Sequence, residues 1–356
     1  MADYRRPTQL LVVDPFNPET ELIQEAADRL REGGLVAFPT ETVYGLGANA
    51  LNSLAVKDIF TAKGRPQDNP LIVHISQTEA ITEYTKEIPS VTKQLAERFW
   101  PGPLTLVLKS SNIFPTEVTG GLDTVAFRVP AHPVALALIK AAGLPVAAPS
   151  ANLSGRPSPT TAGHVMEDLC GRIDLVLDGG PAGVGVESTV LDLTGKNPVI
   201  LRPGGVTRGE LAKVLGRVDI DSSVNGAGAE KPRSPGMKYL HYAPRAPLRL
   251  FESSNTEELA GRILAEAAKL KAQGLKVGIL TYRDTAHLYA GQGYDVVLAG
   301  SSHDPETVAA ALYDSLRRFD LLGVDRILSQ GITCEGVGLA VMNRLIRAAG
   351  GQVIKI

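Results

Sequence analysis

The sequence predicts an α/β protein in two parts: an N-terminal twisted mixed sheet with flanking helices, then a smaller doubly wound, Rossmann-like α/β domain. Three observations carry this. Short apolar strands outnumber helices up to about Val206, a stretch rich in Gly, Ala, Ser and Pro runs from Ser222 to Pro235, and strands and helices alternate strictly after Pro247. The length of 356 residues suits two domains at about 100–200 residues each.

The elements follow in order. A helix is expected from about Pro18 to Arg31, with Asn17 as its cap, Pro18 in its first turn, and Leu22, Ile23, Ala26, Ala27 and Leu30 as one apolar stripe. Gly33 and Gly34 end it. Leu35–Phe38 reads as a buried strand, followed by the polar loop Pro39-Thr40-Glu41-Thr42 and a Gly-containing turn into a helix near Ser53–Lys63, stopped by Gly64. Further strands are expected at Leu71–Ile75, Leu104–Leu108, Thr124–Val129, Pro145–Ala148, Leu175–Leu177, Thr189–Leu193 and Val199–Arg202, and helices near Ser90–Phe99 and Pro133–Ala142. A short helical segment follows Val206. Beyond the linker come Leu248–Phe251, a helix from Glu257 to Ala272, Lys276–Tyr282, Asp295–Leu298, a helix from Pro305 to Leu321, Arg326–Leu328 and a helix from Leu339 to Ala349.

Composition narrows the function. The hydrophobic share of 44% and charged share of 21% exclude disordered, collagen-like and disulfide-scaffold classes. A net charge of −2, from 36 basic and 38 acidic residues, argues against a broad nucleic-acid surface while leaving room for a local basic pocket. Cys170 and Cys334 match no zinc spacing or paired redox motif, which points to a reducing compartment. The most apolar stretch, Pro133 to Pro149, is broken by Lys140, Gly143 and Pro145, and falls short of the roughly 18 residues of a membrane span. The opening MADYRRPTQL lacks the apolar core of a signal peptide, so a cytoplasmic location without membrane partners is expected.

Several common motifs fail. Gly45 to Ala50 fits a relaxed dinucleotide fingerprint, but Thr40 to Tyr44 separate its glycines from the preceding strand. No P-loop, HExxH, clustered His/Cys set or G-x-S-x-G is present. What remains is a set of polar residues at strand ends. Pro66 and Pro70 stiffen the turn after Lys63-Gly64-Arg65, although Lys63 and Arg65 could merely answer a helix dipole. Arg128 alternates against Val125, Phe127 and Val129, so it faces water or lines a cleft. His74, a lone strand histidine, reads by itself as structural or surface rather than as a site residue. Ser150 and Asn152 directly follow a strand, where α/β sheets place ligands, and offer donors suited to phosphate or carboxylate, yet such turns are also plain loop chemistry. With Glu187-Ser188-Thr189 and Leu201-Arg202-Pro203-Gly204-Gly205 they imply an anion pocket.

Taken together these segments resemble the YrdC/Sua5 family, the L-threonylcarbamoyladenylate synthases. The resemblance rests on Phe38-Pro-Thr-Glu-Thr-Val-Tyr-Gly-Leu-Gly47, Lys63-Gly-Arg65-Pro, Pro70-Leu-Ile-Val-His74, Phe127-Arg128-Val-Pro, Ala148-Pro-Ser150-Ala-Asn152-Leu-Ser-Gly, Glu187-Ser188-Thr189 and Leu201-Arg202-Pro-Gly. The long Sua5 branch is indicated by Ser234 to Pro244 and by Gly338 to Ala349. The resemblance implies a YrdC-like catalytic domain over 18–206, a linker or lid over 207–246 and the Sua5 C-terminal domain over 247–356.

It also implies a reaction: L-threonine, bicarbonate or CO2, and ATP give threonylcarbamoyl-AMP and pyrophosphate, and another enzyme transfers the threonylcarbamoyl group to tRNA. By that resemblance Lys63, Arg65, Ser150 and Asn152 form the catalytic set. Arg65, Asn69, Thr124, Ser150, Asn152, Ser158, Arg202 and Tyr242 would bind ATP, and Thr42, His74, Arg128, the Ala148 backbone and Ser188 would bind L-threonine. Tyr239, His241 and Tyr242 would form a lid, and Mg²⁺ would arrive on the phosphates rather than in a protein cage. Two other readings are an RNA-binding module, opposed by the charge balance, and a carbamoyl-adenylate enzyme of hydrogenase maturation, opposed by the missing zinc-finger and acylphosphatase-like segments.

Overall fold

In the computed structural model, which describes residues 7–225 and 241–356, the chain forms two units: 7–154 with 158–225, and 155–157 with 241–356. The first unit opens with β1 (Gln9–Val12), α1 (Thr20–Arg31), β2 (Val36–Phe38), β3 (Gly45–Asn49), α2 (Ser53–Lys63) and β4 (Ile72–His74). It continues through α3 (Ile81–Tyr84), β5 (Thr85–Glu87), α4 (Ser90–Phe99), β6 (Leu104–Ser110), α5 (Thr116–Thr119), β7 (Thr124–Arg128), α6 (Pro133–Ala142) and β8 (Val146–Ala147). Then follow α7 (Ala162–Leu169), β9 (Leu175–Asp178), β10 (Thr189–Asp192), β11 (Val199–Arg202), α8 (Arg208–Leu215) and β12 (Asp219–Ile220). Among the described residues its twelve strands form one mixed sheet in the order β1-β9-β2-β3-β8-β4-β7-β6-β10-β11-β12, with β5 on β6.

Strand alternation divides the core. Val36 and Phe38 point toward α1 and α6, packing with Ile23, Ala26, Leu30, Val134, Leu138 and Ile139, whereas Leu35 and Ala37 join α2 and α7 on the other face. A third, smaller cluster is built from strand residues alone: Ile72 of β4, Val107 of β6, Ala126 of β7, Val190 of β10 and Leu201 of β11. Val73 and Phe127, one step along, belong to the α2 side, so the small cluster lies on the opposite face of the sheet.

Local chemistry corrects several expectations. Asn17 does not cap α1; the side chain of Asp14 accepts the backbone N–H of Phe16 and of Asn17, and the helix begins later, at Thr20, with Glu19 at its N-cap. Gly45–Asn49 is a strand rather than a turn, paired with β2 and β8, and its glycine is needed where a Cβ on Gly47 would come within 2.8 Å of both Phe38 and Val146. The short strand β1 pairs with β9 as a mostly exposed edge, so it carried no clear alternation. The first unit also runs past Val206, since α8 leads into β12, which pairs with β11.

The second unit contains β13 (Leu248–Glu252), α9 (Thr256–Ala272), β14 (Val277–Thr281), β15 (Asp295–Leu298), α10 (Pro305–Leu322), β16 (Arg326–Gln330), α11 (Gly338–Ala348) and β17 (Val353–Lys355). Its five strands are all parallel in the order β15-β14-β16-β13-β17. Asn255 caps α9 through its side chain, and Pro305 opens α10. Leu259, Ile263 and Ala267 of α9 pack on Phe251, Ile279 and Leu328 of the sheet. Among the described residues no helix is long and apolar enough to cross a membrane.

One turn is unusually tight. A Cβ on Gly204, just past β11, would lie 2.2 Å from the Glu187 carbonyl oxygen and 2.3 Å from the Thr189 nitrogen. Backbone cannot yield as a side chain can, so Gly204→Ala is expected to lower stability by about 1–3 kcal/mol or more. A urea midpoint equal to that of the parent chain would refute this.

Candidate functional site

The end of α2 meets the loop after β8. Asn52 caps α2 at its start, and Gly64, with φ of 61°, closes it in the left-handed conformation that glycine adopts without strain. That places Lys63 on the last turn, only 3% exposed. Its ammonium donates to the carbonyl oxygens of Ser150 and of Asn152, the latter at 2.6 Å, and lies 3.4 Å from Asn152 Oδ1. The Ser154 N–H returns a bond to the Lys63 carbonyl at 2.9 Å. Ser150 Oγ donates to Asn152 Oδ1 at 2.6 Å, and Asp168 of α7 accepts the Leu153 N–H at 3.2 Å. Lys63, Ser150 and Asn152 are therefore one assembly, in which the lysine braces the loop through its carbonyls.

Beside this assembly the chain turns through Arg65 to Asn69. The Arg65 guanidinium sits over the Phe60 ring at 5.8 Å and reaches the Asn69 and Pro70 carbonyls at 3.4 and 3.5 Å. Contacts of that length are weak ones for a charged donor. Asn69 is buried, Pro70 leads into β4, and half-buried Thr124 opens the adjacent strand β7.

The opposite ends of β4 and β7 carry a second group. The two strands are parallel with His74 opposite Arg128, so both side chains stand on the face of the small apolar cluster. Arg128, 4% exposed, donates through Nε to the Gly102 carbonyl at 3.3 Å and lies 2.7 Å from Glu41 Oε1 through Nη2. Burial, reinforced by the Arg128 charge, pushes the His74 pKa down to about 3, so its imidazole is neutral. Arg202 donates to the Ser188 carbonyl at 3.0 Å and to its hydroxyl at 3.1 Å, and Ser188 Oγ pairs with Thr105 Oγ1 at 2.8 Å. Thr189 N–H bonds to the Pro103 carbonyl, next to the Gly102 that receives Arg128. Thr42, fully buried, pairs with Thr40 Oγ1 at 2.8 Å on the loop that carries Glu41.

The remaining expected residues have separate places. Ala148 donates its N–H to the Ile72 carbonyl at 2.9 Å, between the two groups. Ser158 donates to the Glu187 carboxylate at 2.5 Å, next to Ser188 in the chain. Tyr239 lies outside the described residues. In the second unit, His241 neighbours Tyr242, and Tyr242 stacks on Tyr313 at 5.4 Å with the Arg344 guanidinium over its ring. Glu41 and Thr105 stand in the site without having been singled out. Glu41 is the one acidic residue of the Pro39-to-Tyr44 loop, a signal that could have flagged it.

The candidate site is thus two groups: a lysine-braced hydroxyl and amide loop where the end of α2 meets the loop after β8, and a buried arginine with a neutral imidazole at the ends of β4 and β7, on the face of the small apolar cluster. A mixed sheet of this form, joined to a parallel-sheet domain, defines a two-domain α/β protein. Comparison with known proteins is specific. The sequence pattern of the Sua5/YciO/YrdC family, described as "Telomere recombination", matches residues 28–204, and that described as "Threonylcarbamoyl-AMP synthase, C-terminal domain" matches 206–350. The threonylcarbamoyl-AMP synthase of Bacillus subtilis is 51% identical over 97% of both chains, and that of Pyrococcus abyssi is 51% identical over 94% of this chain and 96% of the relative. The crystal structure of P. abyssi Sua5 complexed with L-threonine superposes with a TM-score of 0.93 at 49% identity, covering 98% of this chain and all of that one. The chain belongs to the Sua5/YrdC family in its two-domain form, a family of nucleotidyltransferase-type enzymes.

His74 yields a stability prediction. The unfolded chain binds a proton at this residue near pH 6.5 and the folded one only near pH 3, so the native state loses stability as pH falls between those values and keeps it above about 6.5. His74→Gln is expected to flatten that part of the curve. Urea midpoints measured from pH 4 to 8 that fall in parallel for both proteins would disprove it.

Proposed function

We propose that the protein makes threonylcarbamoyl-AMP and pyrophosphate from L-threonine, bicarbonate or CO2, and ATP. The observation that carries this reading is the two-ended face. Thr124 and Arg128 stand four residue steps apart on β7, roughly 13 Å at about 3.3 Å per residue, on one side of the strand. That spacing suits a nucleotide and an amino acid laid side by side over the apolar floor.

In this reading Arg65, Asn69, Thr124, Ser150, Asn152, Ser158 and Arg202 hold ATP, and Thr42, His74, Arg128, Ala148 and Ser188 hold L-threonine. The position of Arg65, on the turn that follows the Lys63 brace and leads to Asn69, supports a role at the phosphates, where charge-assisted bonds are strong. Lys63 acts one step back: its buried ammonium holds the Ser150–Asn152 loop, whose hydroxyl and amide donate within the loop in this structure and would turn to the nucleotide when it binds. Tyr242 as an ATP ligand, and His241 and Tyr242 as lid residues, belong to the same proposal. Lysine, arginine, hydroxyl and amide groups are donors for anions and not a cage for a cation, so Mg²⁺ enters with ATP as part of the substrate.

A carbamate formed on the threonine amine loses CO2 readily in water. Its carboxylate must be captured at the α-phosphorus while both partners are held together and dry. The chain contributes fixed positive charge and hydrogen-bond donors where negative charge builds on the phosphoryl oxygens, and pyrophosphate leaves. The product would pass to a separate enzyme that transfers the threonylcarbamoyl group to adenosine 37 of tRNA. The protein acts in the cytoplasm and makes no extensive contact with nucleic acid itself, in keeping with its net charge of −2.

The test is threonine-dependent pyrophosphate release from ATP and bicarbonate by the pure protein. Arg65→Ala should lose on the order of 2–4 kcal/mol of transition-state stabilisation, roughly 30- to 1,000-fold in kcat/KM, while still folding. Pyrophosphate release that ignores threonine would sink the reading. Full turnover by the variant would remove Arg65 from it.

A further inference from the structure

Glu41 stands against Arg128 in an arrangement that a simple counter-ion does not explain. Its side chain is 15% exposed and that of Arg128 is 5% exposed. A buried guanidinium does need a compensating charge. A carboxylate serving that purpose alone usually meets it through two aligned hydrogen bonds. Here Oε1 and Nη2 are 2.7 Å apart, yet neither of these buried atoms has a hydrogen-bond partner in proper alignment among the described residues. The other oxygen, Oε2, accepts the Ala131 N–H at 3.0 Å, and the Glu41 carbonyl accepts the Val184 N–H at 2.7 Å. Ala131 thus holds the carboxylate and Val184 the backbone of Glu41, which leaves Oε1 beside the arginine and short of an aligned donor.

The groups facing it sharpen this. Burial holds both His74 and His132 below the ordinary histidine range, so neither supplies positive charge to Glu41 near neutral pH. Arg128 is the cation in contact. The cradle therefore presents one positive and one negative group side by side, in surroundings largely closed to water. An α-amino acid carries the mirror image: a carboxylate and an ammonium separated by a single carbon. A carboxylate on Arg128 would bring the neighbouring ammonium, with its three donors, to the acceptor that lacks one.

We infer that Glu41 Oε1 receives the α-ammonium group of the amino-acid substrate, making Glu41 and Arg128 a paired site for the zwitterion and Glu41 a determinant of amino-acid specificity. This rests on the proposed binding of L-threonine at Arg128. It assigns to Glu41 the positive end of the ligand, and to no other residue of that loop.

The experiment compares two ligands on the full-length chain: L-threonine, and 3-hydroxybutanoate, which keeps the carboxylate and hydroxyl but lacks the amine. Glu41→Gln preserves the shape and an acceptor for Ala131 while removing the charge. Its affinity for L-threonine, by calorimetry, should fall at least tenfold, whereas inhibition by 3-hydroxybutanoate should be unchanged. An unchanged threonine affinity overturns the inference. So does an equal loss for both ligands, which would mean that Glu41 acts only by holding Arg128. If Glu41→Gln does not fold, Glu41→Asp, which withdraws the carboxylate by one methylene, is measured with both ligands, and the same two outcomes overturn the inference. The parent chain separates the two levels: failure of that chain itself to bind L-threonine would defeat the functional reading and not the role of Glu41 alone.

Discussion

A buried ammonium has to be satisfied, and at Lys63 that requirement organises one end of the site. Leaving a charged amine in the interior without oxygen partners costs several kcal/mol, so the chain must bring carbonyls to it. The carbonyls of Ser150 and Asn152 do so, and the Ser154 N–H closes a second link to the Lys63 backbone. The loop after β8 thereby inherits the rigidity of α2, whose own ends are set by Asn52 and Gly64. Ser150 is held both by this brace and by a β-bridge to Gly45 of β3, and Asn152 by the brace. Active-site loops need such support, because a donor displaced by an ångström contributes little to a developing charge.

The other end depends on strand order. β4 and β7 are neighbours and parallel, so His74 and Arg128 stand together although the chain between them passes through α3, β5, α4, β6 and α5. β6 runs antiparallel to β7, which returns Gly102 to the Arg128 end, and β10 lies parallel on β6, which brings Ser188 there as well. Together these pairings bring His74, Arg128, the Gly102 carbonyl and Ser188 to the same end of the sheet. The floor between the two ends is apolar because Ile72, Val107, Ala126, Val190 and Leu201 lie in the same alternation register. A mixed sheet suits such a site, since its antiparallel steps bring loops from both directions to one end, which a purely parallel sheet does not do.

The second unit follows a different logic. Its strands are all parallel, each flanked by helices, and polar side chains gather at strand ends: Thr281 and Thr285 both donate to Gln330 Oε1, and Asp284 receives Ser301 and the Ser302 N–H. Arg344 is fully buried yet lies over the Tyr242 ring, where an aromatic face offsets part of the cost of its burial. Asp320 on α10 receives Arg156 at 2.9 Å and the Arg245 N–H at 2.8 Å, tying the short segment 155–157 and the start of the C-terminal part to one helix. Fold alone assigns this unit no chemistry.

By itself the sequence determined the element types wherever periodicity was strong. Every helix and strand expected after Pro247 is present within a residue or two at each end, because alternation and capping depend on neighbours a few positions away. It also singled out Lys63, Arg65, Ser150, Asn152, Arg128 and Arg202 as candidates, since at element ends and in loops their sequence neighbours show no folding duty for them. It missed the edge strand β1 and the strand β3, whose glycines suggested a turn but answer the crowding of Phe38 and Val146. Only the tertiary structure decided that Lys63 turns inward to brace a loop, that Arg128 faces a carboxylate, and that a lone histidine on β4 belongs beside it. The reason is physical. Local patterns are set by bonds and contacts a few residues long, whereas the partner of a buried charge is chosen by strand order and register, which bring together residues that no local pattern relates.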